Sequence, residues 1–149
     1  MARPVLAELA SATGLETVYV TRINWRDHEQ EILAAANLAP ADLYIPEEVK
    51  IDYSDAVCRY VIEGGPDHTD DVPLVFPQSD MARFLRFQSF VSCPLEAPKG
   101  EIVGTLCGAS TRRVLLTDQQ LAEFVRRAGL LARWIDLEHL TAPPPILVH

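Results

Sequence analysis

Two β-forming runs flank a turn: SFVSCPL, residues 89–95, and EIVGTLCGAS, residues 101–110, joined through Pro98-Lys99-Gly100. Apolar, β-branched runs around a Pro/Gly turn predict an antiparallel hairpin. A hairpin alone is marginal in water, so the chain must supply further strands and a covering layer. Centring the turn between Pro98 and Lys99 sets Leu95 opposite Ile102, Cys93 opposite Gly104 and Cys107 opposite Phe90. Successive side chains alternate between the faces of a sheet. Cys93 and Cys107 are then three positions out of register and lie on opposite faces. A disulfide needs Cα atoms within about 7 Å and facing Cβ atoms, so the two thiols read as small buried apolar groups, not as a redox pair.

The remaining patterns supply the partners. Residues 4–13 read as a short helix stopped by Gly14. ETVYVTRINW, 16–25, suits a pleated surface, and EILAAANL, 31–38, pairs back across the polar RDHE turn. Pro40 and Pro46 bracket a loop. SDAVCRYVIE, 54–63, has helical apolar spacing with Ser54 as its N-cap. The stretch 66–77 is a short edge interrupted by Pro73 and Pro77, and 79–87 is a short helix. Residues 117–140 form the longest helix, opened by the capping box Thr117-x-x-Gln120. The order predicts an α+β fold: one antiparallel sheet, terminal helices on one face and a loop-rich roof on the other. The expected layout is one domain over 1–141 and a Pro-rich tail over 142–149.

The formal charge of −8 offers no cationic field to nucleic acid or anionic lipid. No apolar run reaches the ~18 residues of a membrane span, and the first residues lack the pattern of a secretory signal. Three cysteines cannot form a complete disulfide framework, and a cytoplasmic setting is expected.

The chain resembles the GAF domains from about Pro4 to Leu140. Asp71-Val72 is similar to the Asp-Val that closes the family's central loop. Residues 89–95 are similar to its Ser-x-Leu-x-Val-Pro-Leu strand, and Gly100-Glu101-Ile102-Val103-Gly104-Thr105-Leu106 to the strand that follows. Thr117-Asp118-Gln119-Gln120-Leu121 matches the start of the final helix. The resemblance implies a sheet with a small-molecule pocket on one face and dimerisation through the terminal helices. It does not imply one ligand or cofactor. Cys58 is followed by Arg59 rather than the histidine of bilin-binding members. The run before the Pro-Leu strand lacks the histidine of haem sensors, and the Cys-Asp segment of the free methionine sulfoxide reductases is missing.

The candidate pocket residues are Tyr53, Cys58, Arg59, Asp71, Phe76, Arg83, Phe84, Phe87 and Cys93, with Tyr44 in the same roof. The aromatic groups supply either a closed core or an apolar pocket, and one of Arg59, Arg83 and Arg86 would anchor an anionic group there. PDHTDDV, 66–72, has metal-ligand chemistry but reads as a solvated loop, with Asp71 accepting from backbone amides; no metal is expected. His28, His139 and His149 have no evident partner in the sequence. On the last helix, Leu121, Phe124, Val125, Ala128, Ala132 and Ile135 are expected to cover the sheet. Leu130, Trp134 and Leu137 fall on the back and predict a homodimer interface. The function expected is non-catalytic sensing of an unidentified small molecule. The alternatives are a thiol-based reductase on the same fold and a domain that serves only dimerisation.

Overall fold

A computed structural model describes residues 2–38 and 42–135. Leu137, His139, His149, Pro40 and the 142–149 segment lie outside the described residues. The architecture is the expected α+β arrangement: a six-stranded antiparallel sheet between two unlike layers.

Helix α1 (Ala2–Thr13) leads into β1 (Thr17–Asn24), which turns back as β2 (Glu29–Asn37). β3 (Val49–Asp52) follows the loop, at a place where no strand is expected from the sequence. It pairs with β2 and half-buries Val49 and Ile51, while Lys50 and Asp52 point outward. Four residues carry too short an alternation to be read without a partner strand. β4 (His68–Thr69), β5 (Ser89–Glu96) and β6 (Ile102–Ser110) complete the order β3-β2-β1-β6-β5-β4.

The middle of the chain departs most from the sequence reading. Instead of one helix over 54–63, a 3-10 turn (Tyr53–Asp55) precedes α2 (Arg59–Ile62). Ser54 is not the cap; the Asp52 carboxylate accepts from the Ser54 amide and so caps the 3-10 turn. α3 (Val72–Val75) and α4 (Asp80–Phe84) are single turns, and α4 is capped by Ser79, which accepts from the Ala82 amide. The last helix, α5 (Asp118–Ile135), opens on the expected capping box. Thr117 accepts from the Gln120 amide at 3.1 Å, and Gln120 Oε1 accepts from the Thr117 amide at 2.8 Å.

Alternation splits the core in two. Val18 and Val20 on β1, Val91, Cys93 and Leu95 on β5 and Leu106 on β6 face α1 and α5, packing on Leu6, Leu9, Phe124, Leu131 and Ile135. Tyr19, Ile32, Phe90, Cys107 and Ala109 face the roof of short helices. Cys93 and Cys107 are thus on opposite faces, as expected, but the register differs. Cys93 pairs with Leu106 and Leu95 with Gly104, two positions from the centred turn. A register shift between Leu95 and Glu96, and a turn closed by Ala97 on Glu101 with Gly100 at φ 92°, account for the difference.

The α5 stripe is rotated from its expected place. Leu131 is buried, whereas Val125 is 63% exposed. α1 packs along one flank of α5 and an Arg127–Glu8 ion pair at 2.7 Å joins them, which turns the buried arc toward Leu131.

Candidate functional site

Between the roof and the β1–β2–β3 end of the sheet lies a cavity of about 240 Å³. Tyr19 and Thr21 from β1, Gln30 and Ile32 from β2, and Val49 and Ile51 from β3 form its sheet side. Ala56, Val57, Cys58, Met81, Leu85 and Phe87 close the other side, and Tyr44, Ile45 and Pro46 its mouth. Among the described residues, no charged group lines it. A volume below the ~300–1,000 Å³ of drug-sized pockets limits it to a small, compact occupant.

The floor is polar and closely connected. Gln30 is 1% exposed and donates through Nε2 to Thr21 Oγ1 at 2.7 Å and to Cys58 Sγ at 2.9 Å. The Thr21 and Thr105 hydroxyls are 2.7 Å apart. Thr105 Oγ1 lies 3.6 Å from Cys58 Sγ and accepts from Cys107 Sγ at 3.2 Å. Ser92 Oγ is 3.5 Å from Cys107 Sγ. Four strands and α2 therefore converge on two neighbouring thiols. Hydrogen bonding from Cys107 lowers the Cys58 thiol against its burial, with Gln30 and Thr105 assisting. Burial pushes the Cys107 thiol and the Tyr19 phenol well up.

The sequence candidates divide. Cys58 and Phe87 line the cavity. Cys93 does not: it faces α5 across the sheet, and burial raises its thiol to about 12. It lines an open groove of about 660 Å³ between β5 and α5, rimmed by Asp67, Glu96 and Arg133. Tyr53 is spent on structure, packed against Trp25 and His28 with its hydroxyl on Glu63. Arg59 lies over the Tyr60 ring and donates to the Ser54 carbonyl. Arg83 and Arg86 are exposed beside Phe76 and Phe87 on a separate groove, so no arginine anchors the apolar cavity. Phe84 is 82% exposed. Asp71 caps no amide with its side chain; it stands 3.7 Å from Arg113, whose guanidinium also reaches Asp70. His68 pairs with Asp67 at 2.8 Å. On α5, Trp134 is half-buried against the helix-side core, while Leu130 is 50% exposed.

Thr21, Gln30, Thr105 and Cys107 were not among the sequence candidates. One signal was available: polar residues at alternate positions of the two central strands, Thr21 on β1 and Thr105 on β6, which pair directly.

No family model matches the sequence. The diguanylate cyclase DgcP of Escherichia coli strain K12 is 29% identical over 140 residues, which is 94% of this chain and 40% of that protein. The chain thus spans about two fifths of that curated relative. Among solved structures, the phycocyanobilin-bound GAF domain of a cyanobacterial phytochrome superposes with a TM-score of 0.74 at 14% identity, covering 95% of this chain and 86% of that one. The GAF domain of an Acinetobacter phosphoenolpyruvate-protein phosphotransferase gives 0.71 at 14% identity, covering 93% and 82%. A type II free methionine-R-sulfoxide reductase of Thermoplasma acidophilum gives 0.71 at 17%, covering 91% and 89%.

Proposed function

We propose that this chain, which has the fold of the GAF domains, is a non-catalytic sensory domain that binds a small uncharged molecule between its sheet and roof. The observation that carries the reading is the apolar cavity with a hydrogen-bonding floor and no charged lining. An apolar wall rewards burial of ligand surface, and a few fixed polar groups orient it. The output we propose is control of a diguanylate cyclase, because the relative that aligns with nearly all of this chain bears that name. A cytoplasmic setting and a homodimer through the terminal helices belong to the same proposal. Among the described residues, no helix is long and apolar enough to cross a membrane. A thermal-shift panel of neutral and anionic metabolites tests the reading, since a ligand of the native state raises its stability by mass action. Neutral compounds are expected to shift the transition; a response confined to anions contradicts the assignment.

One observation favours a second reading, a thiol-dependent reductase. Cys58 and Cys107 share a hydroxyl partner, Thr105 Oγ1, at 3.6 and 3.2 Å, and one structural neighbour is a reductase. Turnover of free methionine sulfoxide with a dithiol reductant, abolished in Cys58→Ser, would establish it in place of the sensor.

A further inference from the structure

We propose that Cys58 is a covalent attachment site for a small, neutral α,β-unsaturated carbonyl compound that enters the cavity, an inference that rests on the cavity being the ligand site. Among the described residues, the cavity wall is otherwise aliphatic, aromatic, thioether, hydroxyl or amide, so Cys58 is its one thiol. Thr21 Oγ1 accepts from Gln30 Nε2 at 2.7 Å and from the Thr105 amide at 3.1 Å. Its own proton then goes to Thr105 Oγ1, 2.7 Å away. That frees the Thr105 proton for the Cys58 sulfur at 3.6 Å. Gln30 places its second amide hydrogen on the same sulfur at 2.9 Å. A neutral thiol is already satisfied by donating to Gln30 Oε1 at 3.2 Å. Two donors, the Gln30 amide and the Thr105 hydroxyl, converging on one sulfur suit an anionic one, the form that acts as nucleophile.

The reaction is a conjugate addition. Cys58 Sγ bonds to the β-carbon, and the carbon–carbon π pair shifts toward the carbonyl. The proton lost from the thiol ends on the α-carbon, leaving a thioether with no leaving group and no oxidant. The uncharged lining selects neutral reagents, and 240 Å³ admits only small ones.

The test treats the native chain with N-ethylmaleimide and, separately, with anionic iodoacetate, each referenced to glutathione and read by intact mass and peptide mapping. One adduct is expected, at Cys58, with the maleimide favoured at least about tenfold over iodoacetate relative to glutathione. Thr105→Val should slow the addition about tenfold, as loss of one stabilising donor shifts the thiol by about one pH unit. Thr105→Ser, which keeps the hydroxyl, should restore the rate. If Thr105→Val fails to fold, the Cys58→Ser chain decides, since it must take up no maleimide while native. First labelling at Cys93 or Cys107, or no labelling while glutathione reacts to completion, overturns the proposal. N-ethylsuccinimide, of the same shape but unreactive, separates the two claims. A melting shift with it and no maleimide adduct sinks the covalent site alone. A Cys58 adduct in a chain whose Cys58→Ala variant binds no panel compound sinks the reversible sensor alone.

Discussion

Gln30 on β2 holds its amide nitrogen 2.9 Å from the sulfur of Cys58, 28 residues along the chain and across the cavity floor. That contact ties the sheet to the short helix that roofs it. Gln30→Leu keeps much of the volume but strips partners from Thr21, Thr105 and Cys58. Leaving buried polar groups unpaired costs about 1–3 kcal/mol. The variant should therefore unfold at lower urea with an unchanged denaturant slope; an unaltered midpoint would show that the floor network is dispensable.

The second expectation concerns the cysteines. Alternation separates Cys93 from Cys107, and all three cysteines are free and buried. Non-reducing peptide mapping of folded protein should yield no Cys93–Cys107 linked peptide. Any such peptide from the native state contradicts the register.

Gly104 on β6 lies against the β1 backbone. A Cβ there would lie 2.0 Å from the Thr21 carbonyl oxygen, which is backbone and cannot turn away. Gly104→Ala must part the two central strands, and a loss of about 3 kcal/mol or more is expected, at the upper end for single substitutions. Chemical denaturation measures it, and a near-neutral effect would refute the pairing of Arg22 with Gly104.

Glu47 joins two layers. It accepts from Arg3 Nε on α1 at 2.7 Å and from the Ala35 amide on β2 at 2.9 Å. The hydrogen bond from Arg3 does most to hold its carboxyl down, at about 2. A folded-state pKa below the unfolded value stabilises the protein above the unfolded pKa, and the gain is lost as pH falls toward the folded one. Glu47→Gln should thus cost about 1 kcal/mol near neutral pH, as a largely surface pair does. The difference from wild type should shrink between about pH 4.5 and 2. A difference independent of pH, followed by thermal melts, would exclude the charge pair as its source.

The dimer proposal is best tested at Leu130, which is half exposed on α5. Trp134 packs on the helix-side core, so changing it confounds folding with association. Leu130→Glu should leave the fold intact and halve the mass by light scattering. A wild type already monomeric at tens of micromolar, above a micromolar-range Kd, would end the proposal.

The sequence carried the frame because long elements announce themselves. The hairpin around Pro98-Lys99-Gly100, the Thr117–Gln120 box and the opposed faces of Cys93 and Cys107 all follow from local periodicity. The site was harder to read. Thr21, Gln30, Cys58 and Thr105 come from four elements, and their meeting depends on strand order and on a register shift between Val20 and Thr21. The roof is built from single turns whose caps, Asp52 and Ser79, are fixed by tertiary context rather than by propensity. Arg83 and Phe84 accordingly looked fit for burial in sequence, yet both face outward from a helix of five residues.

The most direct measurement of the central claim pairs one cavity with its blocked form. Val49 sits half-buried at the cavity wall on β3, and Val49→Trp should fill the space while sparing the floor. Calorimetric titration of neutral compounds, each matched with an anionic analogue, should give binding of a neutral member to wild type and none to Val49→Trp. Equal binding to both proteins, or binding of the anionic analogue alone, would contradict a neutral-ligand site between sheet and roof.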